Sequence, residues 1–244
     1  MLPAQPNQSL VDGLACLQAL ASASENVGVH ELARQLGLEP TRVHRLLKTL
    51  AHLGIAEQDE RKKYRPGPGL HVLAAQSLHG SGLLRRAFGP LEQLQAHKEL
   101  VALGVLWRDK VSYLYHWRPG LTSAEALGRR DLFDASRSSI GLVLLAAMTD
   151  DAVRELYRDK PIPGFTGITE LLKRLRGVRQ AGFARVEIAP GAADSIAVPL
   201  GTPAHAAIAV SGQFSSTETS RWVGILEQAR AKIDASAATK GSNK

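Results

Sequence analysis

Thr41, Arg42, His44, Arg45 and Lys48 crowd into one short stretch of chain. At about 100° per residue, Thr41, Arg45 and Lys48 fall on one helical face. Val43, Leu46, Leu47, Leu50 and Leu53 fall on the other, and Arg42 and His44 flank the polar face. An arginine on such a face can pair with guanine O6 and N7, while lysine and threonine more often meet phosphates. A second cationic cluster, Arg61, Lys62, Lys63 and Arg65, follows closely. A single basic face is as often only a solvated surface. Two such clusters on consecutive elements point to double-stranded DNA as partner.

A different chemistry is available further on. Ser138 and Ser139 precede an apolar run, so their hydroxyls would stand beside the unpaired N–H groups of a helix start, a plausible anion seat. The simpler use of Ser138 is as the cap of that helix. Trp107, Tyr113, Tyr115 and Trp117 alternate along a hairpin and are expected to share one sheet face. No Gly-x-Ser-x-Gly elbow, Walker loop or His-Glu-x-x-His is present, so no catalytic residues are expected. The one cysteine, Cys16, fits the apolar pattern of a first helix, and the eight histidines lack ligand spacing. Neither a metal nor a cofactor is expected.

The elements that would position these groups follow from periodicity and punctuation. Ser9 and Asp12 suggest a capping box opening a helix to about Ser22, and residues 24–28 read as a loop. A short helix from about His30 to Leu36 stops at Gly37, and a third starts at Pro40 and ends near Leu53. Ile55–Gln58 and Arg61–Arg65, joined by Asp59-Glu60, form a short hairpin. Helix, turn, helix and hairpin make a winged helix-turn-helix. A connector helix is predicted over Leu70–Leu78 and a longer helix over Leu83–Leu100, in which Gly89-Pro90 is the point that can interrupt it. Beyond it, strands at 101–107, 111–117, 183–188, 195–200 and 204–211 alternate with helices at 140–148, 150–158, 169–180 and 216–235. The expected domains are residues 1–69 for DNA, 70–81 as linker helix, 82–236 as effector-binding and oligomerisation domain, and 237–244 as a disordered tail.

Composition bounds the rest. With 244 residues, 44% apolar and 22% charged, the chain is of ordinary globular type. No apolar run approaches a membrane span, and the start lacks a signal peptide's order, so a cytoplasmic protein without membrane contact is expected. The net charge of +7 comes mainly from the second part: residues 1–75 hold 8 basic and 7 acidic side chains, the remainder 22 and 16. DNA contact must therefore come from the local clusters rather than from the charge of the first domain as a whole.

Leu32–Leu38, Val43–Leu50, Gly54–Glu57 and Tyr64–Pro68 together resemble the isocitrate-lyase-regulator (IclR) family of bacterial transcription factors, and the similarity continues through Ser138–Ala146, Ala197–Pro199 and Ala206–Gly212. The resemblance implies an α+β chain: an N-terminal winged helix-turn-helix, a linker helix and a C-terminal GAF-like mixed α/β domain that senses a small molecule. It further implies a homodimer or tetramer acting on operator DNA, often of a catabolic or transport operon. Aligned with the family's motifs, Ser139, Ile140, Ser195 and Ser211 fall on pocket-lining positions. Three departures stand out: Pro40-Thr41-Arg42 replaces the usual Lys-Ser-Thr, Leu142 stands where a basic residue is common, and Ser195 where a cysteine is frequent. Leu142 removes a second charged anchor, so the expected effector is a monocarboxylate or aromatic acid. Two alternatives stay open: a methyltransferase with an N-terminal winged helix, and a DNA-binding protein whose second domain takes no ligand.

Overall fold

The computed structural model describes residues 5–128, 131–189 and 193–238. The chain divides into two compact units, with the boundary between Leu83 and Leu84.

In the first unit α1 (Gln8–Ser22), α2 (Val29–Leu36) and α3 (Pro40–His52) precede a hairpin of β1 (Ala56–Gln58) and β2 (Tyr64–Pro66). The cap of α1 differs from the expected box: Asn7 accepts the Leu10 N–H at 3.1 Å, and Asp12 is buried. Gly37 adopts the left-handed conformation (φ 66°) that closes α2 and turns the chain into α3, whose first residue, Pro40, needs no N–H partner. Cys16, Leu20, Leu32, Val43, Leu47, Ala56 and Tyr64 fill the core beneath these helices. Each large side chain contributes roughly 1.5–3 kcal/mol by burial, which fixes how α3 stands. The segment read as a loop at 24–28 does more than connect: Val27 bridges to Tyr64 by two backbone hydrogen bonds of 2.9 and 2.8 Å, adding an edge to the wing. α4 (Pro68–Ser81) is longer than predicted at both ends and buries no side chain; Val72 and Leu73 are about half exposed.

The second unit opens with α5 (Leu83–Gln95), which continues through Gly89-Pro90. A six-stranded sheet follows, in the order β5-β4-β3-β8-β7-β6. Its strands are β3 (Leu100–Trp107), β4 (Lys110–Trp117), β5 (Leu132–Asp134), β6 (Ala184–Ala189), β7 (Ala193–Leu200) and β8 (Ala206–Gly212). Every pairing described is antiparallel, so the parallel β-α-β unit that a dinucleotide-type methyltransferase needs is not formed by these strands. β5, three residues at the edge, was not foreseen from the sequence.

α6 (Ser139–Ala146) is buried on all sides and lies on the sheet with α8 (Ile168–Ala181) beside it. It can sit close because the strands beneath it present Ala102, Ala197, Ala207 and Ala209. Gly141 is the closest approach: a Cβ there would stand 2.1 Å from the Ala135 carbonyl oxygen. α7 (Asp150–Leu156) is capped by Thr149, and Arg179 of α8 ties its Asp150 at 2.7 Å. α9 (Thr219–Ala238) packs on β7 and β8 and holds α5 through Lys232 Nζ, 2.6 Å from Gln93 Oε1. α9 takes up the first two residues of the predicted tail; residues 239–244 lie outside the described residues.

The hairpin β3–β4 departs from regular alternation. Leu103 faces Tyr115 and Gly104 faces Tyr113, so Leu114 is an extra residue, a β-bulge. Tyr113 and Tyr115 therefore point to opposite faces, against the expectation that the hairpin aromatics share one. Tyr115 is buried, edge-on to Phe88 of α5 at 6.2 Å. Tyr113 lies on the side of α6, its hydroxyl 3.5 Å from Ser138 Oγ.

Candidate DNA-recognition face and effector cavity

The polar face of α3 is exposed over Thr41, Arg42, His44, Arg45 and Lys48, while Val43 and Leu47 are fully buried opposite. Thr41 and His44 share a groove with the wing cations Arg61, Lys62 and Lys63 and with the start of α2 at Val29, His30 and Glu31. The two basic clusters are thus brought together, as their positions on consecutive elements require. The wing turn is built to hold its cations out. Asp59 accepts the Lys63 N–H and the Asn26 amide, both at 2.8 Å, and these bonds hold its carboxyl below the ordinary carboxylate range. Lys62 sits in the left-handed region (φ 59°) at the tip.

Not all the predicted cations are equally free. Arg65 is paired across the hairpin with Glu57, Nε and Nη2 lying 3.0 and 2.9 Å from Oε2. Arg42 is paired with Asp12. Among the described residues Arg45, Lys48, Arg61, Lys62 and Lys63 enter no ion pair.

In the second unit a cavity of about 790 Å³ opens between α6, the sheet and β5. Ser139 and Ser195 line it, joined by a hydrogen bond of 2.7 Å, and Ser211 donates to Ser195 at 2.9 Å. Three hydroxyls from α6, β7 and β8 thus form one chain, because Ser195 and Ser211 are register partners and Ser139 is the first residue of the helix above them. Ser138 caps α6, accepting the Gly141 N–H at 3.3 Å, which is the simpler of the two roles foreseen for it. Ile140 is not among the lining residues. One helical step from Ser139, it is turned into the core, its Cγ2 3.1 Å from where a Cβ on Gly104 would stand. Leu142 lines the wall.

Sequence reasoning did not single out the rest of the cavity. Phe133, Phe165 and His116 line it with Tyr113, and the exposed guanidinium side chains Arg137 and Arg174 stand at its edge. These come from separate segments that only the sheet order brings together. A third arginine, Arg185, is committed to structure: it pairs with Asp194 at 2.5 Å and donates to the Phe214 carbonyl at 2.8 Å, tying β6 to the approach to α9.

The first unit has the build of a winged helix-turn-helix, and the second is an α/β domain with helices packed on one six-stranded antiparallel sheet. The family model of the IclR helix-turn-helix domain matches residues 9–60. The HTH-type transcriptional regulator BhcR of Paracoccus denitrificans is 31% identical over 207 residues, 79% of this chain and 73% of that protein. The glycerol operon regulatory protein of Streptomyces coelicolor is 34% identical over 115 residues, 46% of this chain and 45% of that protein. Among solved structures, a putative IclR regulator from Silicibacter sp. TM1040 superposes with a TM-score of 0.76 at 21% identity, over 93% of this chain and 95% of that one. An IclR homologue from Microbacterium hydrocarbonoxydans, solved with 4-hydroxybenzoate, gives a TM-score of 0.69 at 24% identity, over 93% and 98%. The chain belongs to the IclR family of helix-turn-helix transcriptional regulators.

Proposed function

We propose that this regulator binds operator DNA as a homodimer or a pair of dimers and is switched by a small organic acid, within the cytoplasm, at a catabolic or transport operon. DNA contact falls to Thr41, Arg42, His44, Arg45 and Lys48 of α3 and to Arg61, Lys62, Lys63 and Arg65 of the wing. Residues 1–69 form the DNA-binding part, 70–81 the linker and 82–236 the effector part. One winged helix reads only a few base pairs, so useful affinity needs two half-sites. The exposed apolar residues of α4, Val72, Leu73 and Leu78, supply a surface for self-association.

The observation that carries the effector reading is the hydroxyl chain Ser139–Ser195–Ser211 within an aromatic-walled cavity. Hydroxyls and a helix start favour a carboxylate, the walls Tyr113, Phe133 and Phe165 favour a flat apolar body, and Leu142 leaves no second charged anchor on α6. An aromatic monocarboxylate satisfies all three, and the 4-hydroxybenzoate held by the Microbacterium homologue is of that class. Ligand and DNA binding would be coupled because each favours one arrangement of the chain over another. Calorimetry of the full chain against a panel of organic acids is the direct test. Aromatic monocarboxylates should bind, and Ser139→Ala with Ser195→Ala should weaken them about tenfold or more. Binding of only neutral or cationic compounds, or acids binding the double variant equally well, overturns the assignment.

A further inference from the structure

α1 carries one charged side chain on its buried side. Asp12 is 5% exposed, on the helix that supplies Cys16, Ala19 and Leu20 to the core. A buried carboxylate is unfavourable unless compensated. Its Oδ1 accepts a hydrogen bond from the Gln8 amide at 2.7 Å. Its Oδ2 lies 2.6 Å from Arg42 Nε but accepts no aligned hydrogen bond, so charge rather than hydrogen-bond geometry holds the two together.

Arg42 is the third residue of α3, where the helix dipole disfavours a positive side chain. An anion beside it relieves that conflict, and Asp12 supplies one. The Arg42 side chain is still 42% exposed, and among the described residues no other ion pair engages it. It lies about 60° round the helix from Arg45, on the flank of the recognition face nearer α1. A groove-seated helix has a phosphate backbone running past that flank.

We propose that Asp12 is a positioning residue for DNA recognition: from α1 it holds the Arg42 guanidinium so that its outer edge meets one backbone phosphate and fixes the register of α3 in the groove. The inference rests on the reading of Arg42 as a DNA contact. It also sets the sign of the electrostatics. Asp12 is a negative charge close to DNA, so its presence costs general affinity while it adds discrimination.

Three roles for Asp12 then give three signatures in the full-length protein. The probes are a duplex that the wild-type protein enriches from a random library and a scrambled duplex of the same composition, measured over a salt series. Under the proposal Asp12→Asn lowers affinity for the enriched duplex, leaves or raises that for the scrambled one, and so cuts the ratio by about tenfold. Arg42→Ala cuts the ratio similarly, and the double variant loses no more than Arg42→Ala alone. If both affinities rise together on Asp12→Asn, the carboxylate acts only by repulsion and the proposal is overturned. If both fall with the melting temperature, it acts only in folding, and the proposal is overturned again. Arg42→Lys, which keeps the charge on a surface side chain, should cut the ratio with the melting temperature unchanged, and an unchanged ratio overturns the proposal by a route independent of the core. If Arg42→Ala itself leaves the ratio intact, it is the reading of Arg42 that fails.

Discussion

Arg45 and Lys63 are both proposed to contact DNA but should behave differently. Arg45 is central on the exposed face of α3, whereas Lys63 stands on the wing. Arg45→Ala should cost about 1–3 kcal/mol of operator binding and relax sequence preference, while Lys63→Ala should weaken all duplexes evenly and flatten the salt slope. Gel-shift titration of operator and scrambled duplexes checks both, and wild-type operator binding by Arg45→Ala would remove α3 from its role. Cys16 offers a test of the core beneath. Burial, with the charge of Asp12 nearby, raises its thiol from the ordinary 9.0 to about 11. The folded state therefore favours the protonated thiol, and its contribution is complete below pH 9.0 and lost as pH rises towards about 11. Between those values wild-type stability should fall with pH more steeply than that of Cys16→Ala, measured by denaturant unfolding at each pH. At neutral pH the native thiol should resist alkylation until the unit unfolds.

At the scale of elements, α6 is the piece whose placement makes the cavity, and Gly141 permits that placement. Gly141→Ala must push α6 from the Ala135 carbonyl, an overpacking that costs roughly 1–3 kcal/mol and should also weaken acid binding by moving Ser139. Thermal melts and calorimetry on the one variant check both, and an unaltered melt would mean the helix has room to shift. The contrast between the two units shows what the sequence can disclose. The helices of the first unit are legible because leucines recur at three- and four-residue spacing and Gly37 and Pro40 punctuate them. Period two served less well on β4, since the extra residue Leu114 shifts the faces and no residue type announces a bulge there. Ser139, Ser195 and Ser211 could be placed by resemblance, but Ile140 is turned into the core by one helical step. Arg137, Arg174, Phe133 and Phe165 share the cavity only because distant segments meet across the sheet.

For the whole molecule, the operator reading proposed above would depend on self-association. Sedimentation at micromolar concentration should show a dimer or tetramer, and Leu73→Asp, on the exposed side of α4, should shift it towards monomer while leaving the melt of either unit unchanged. A wild-type monomer with a single half-site footprint would contradict this. The distribution of aromatic side chains decides which optical signal can follow such experiments. Trp107, Trp117 and Trp222 all lie beyond the boundary at Leu83, and Tyr64 is the one aromatic residue before it. Trp117 is fixed by its Nε1–H to the Leu121 carbonyl at 2.7 Å, and Trp222 is enclosed between His97 and Phe214. Indole emission, excited where tyrosine does not absorb, is therefore a private reporter of the second unit and is dark to the melting of the winged helix. Far-ultraviolet dichroism sees the helices of both. Superimposable denaturation curves from the two signals would mean that the units unfold as one. Curves that separate would measure how much stability the DNA-binding unit holds on its own.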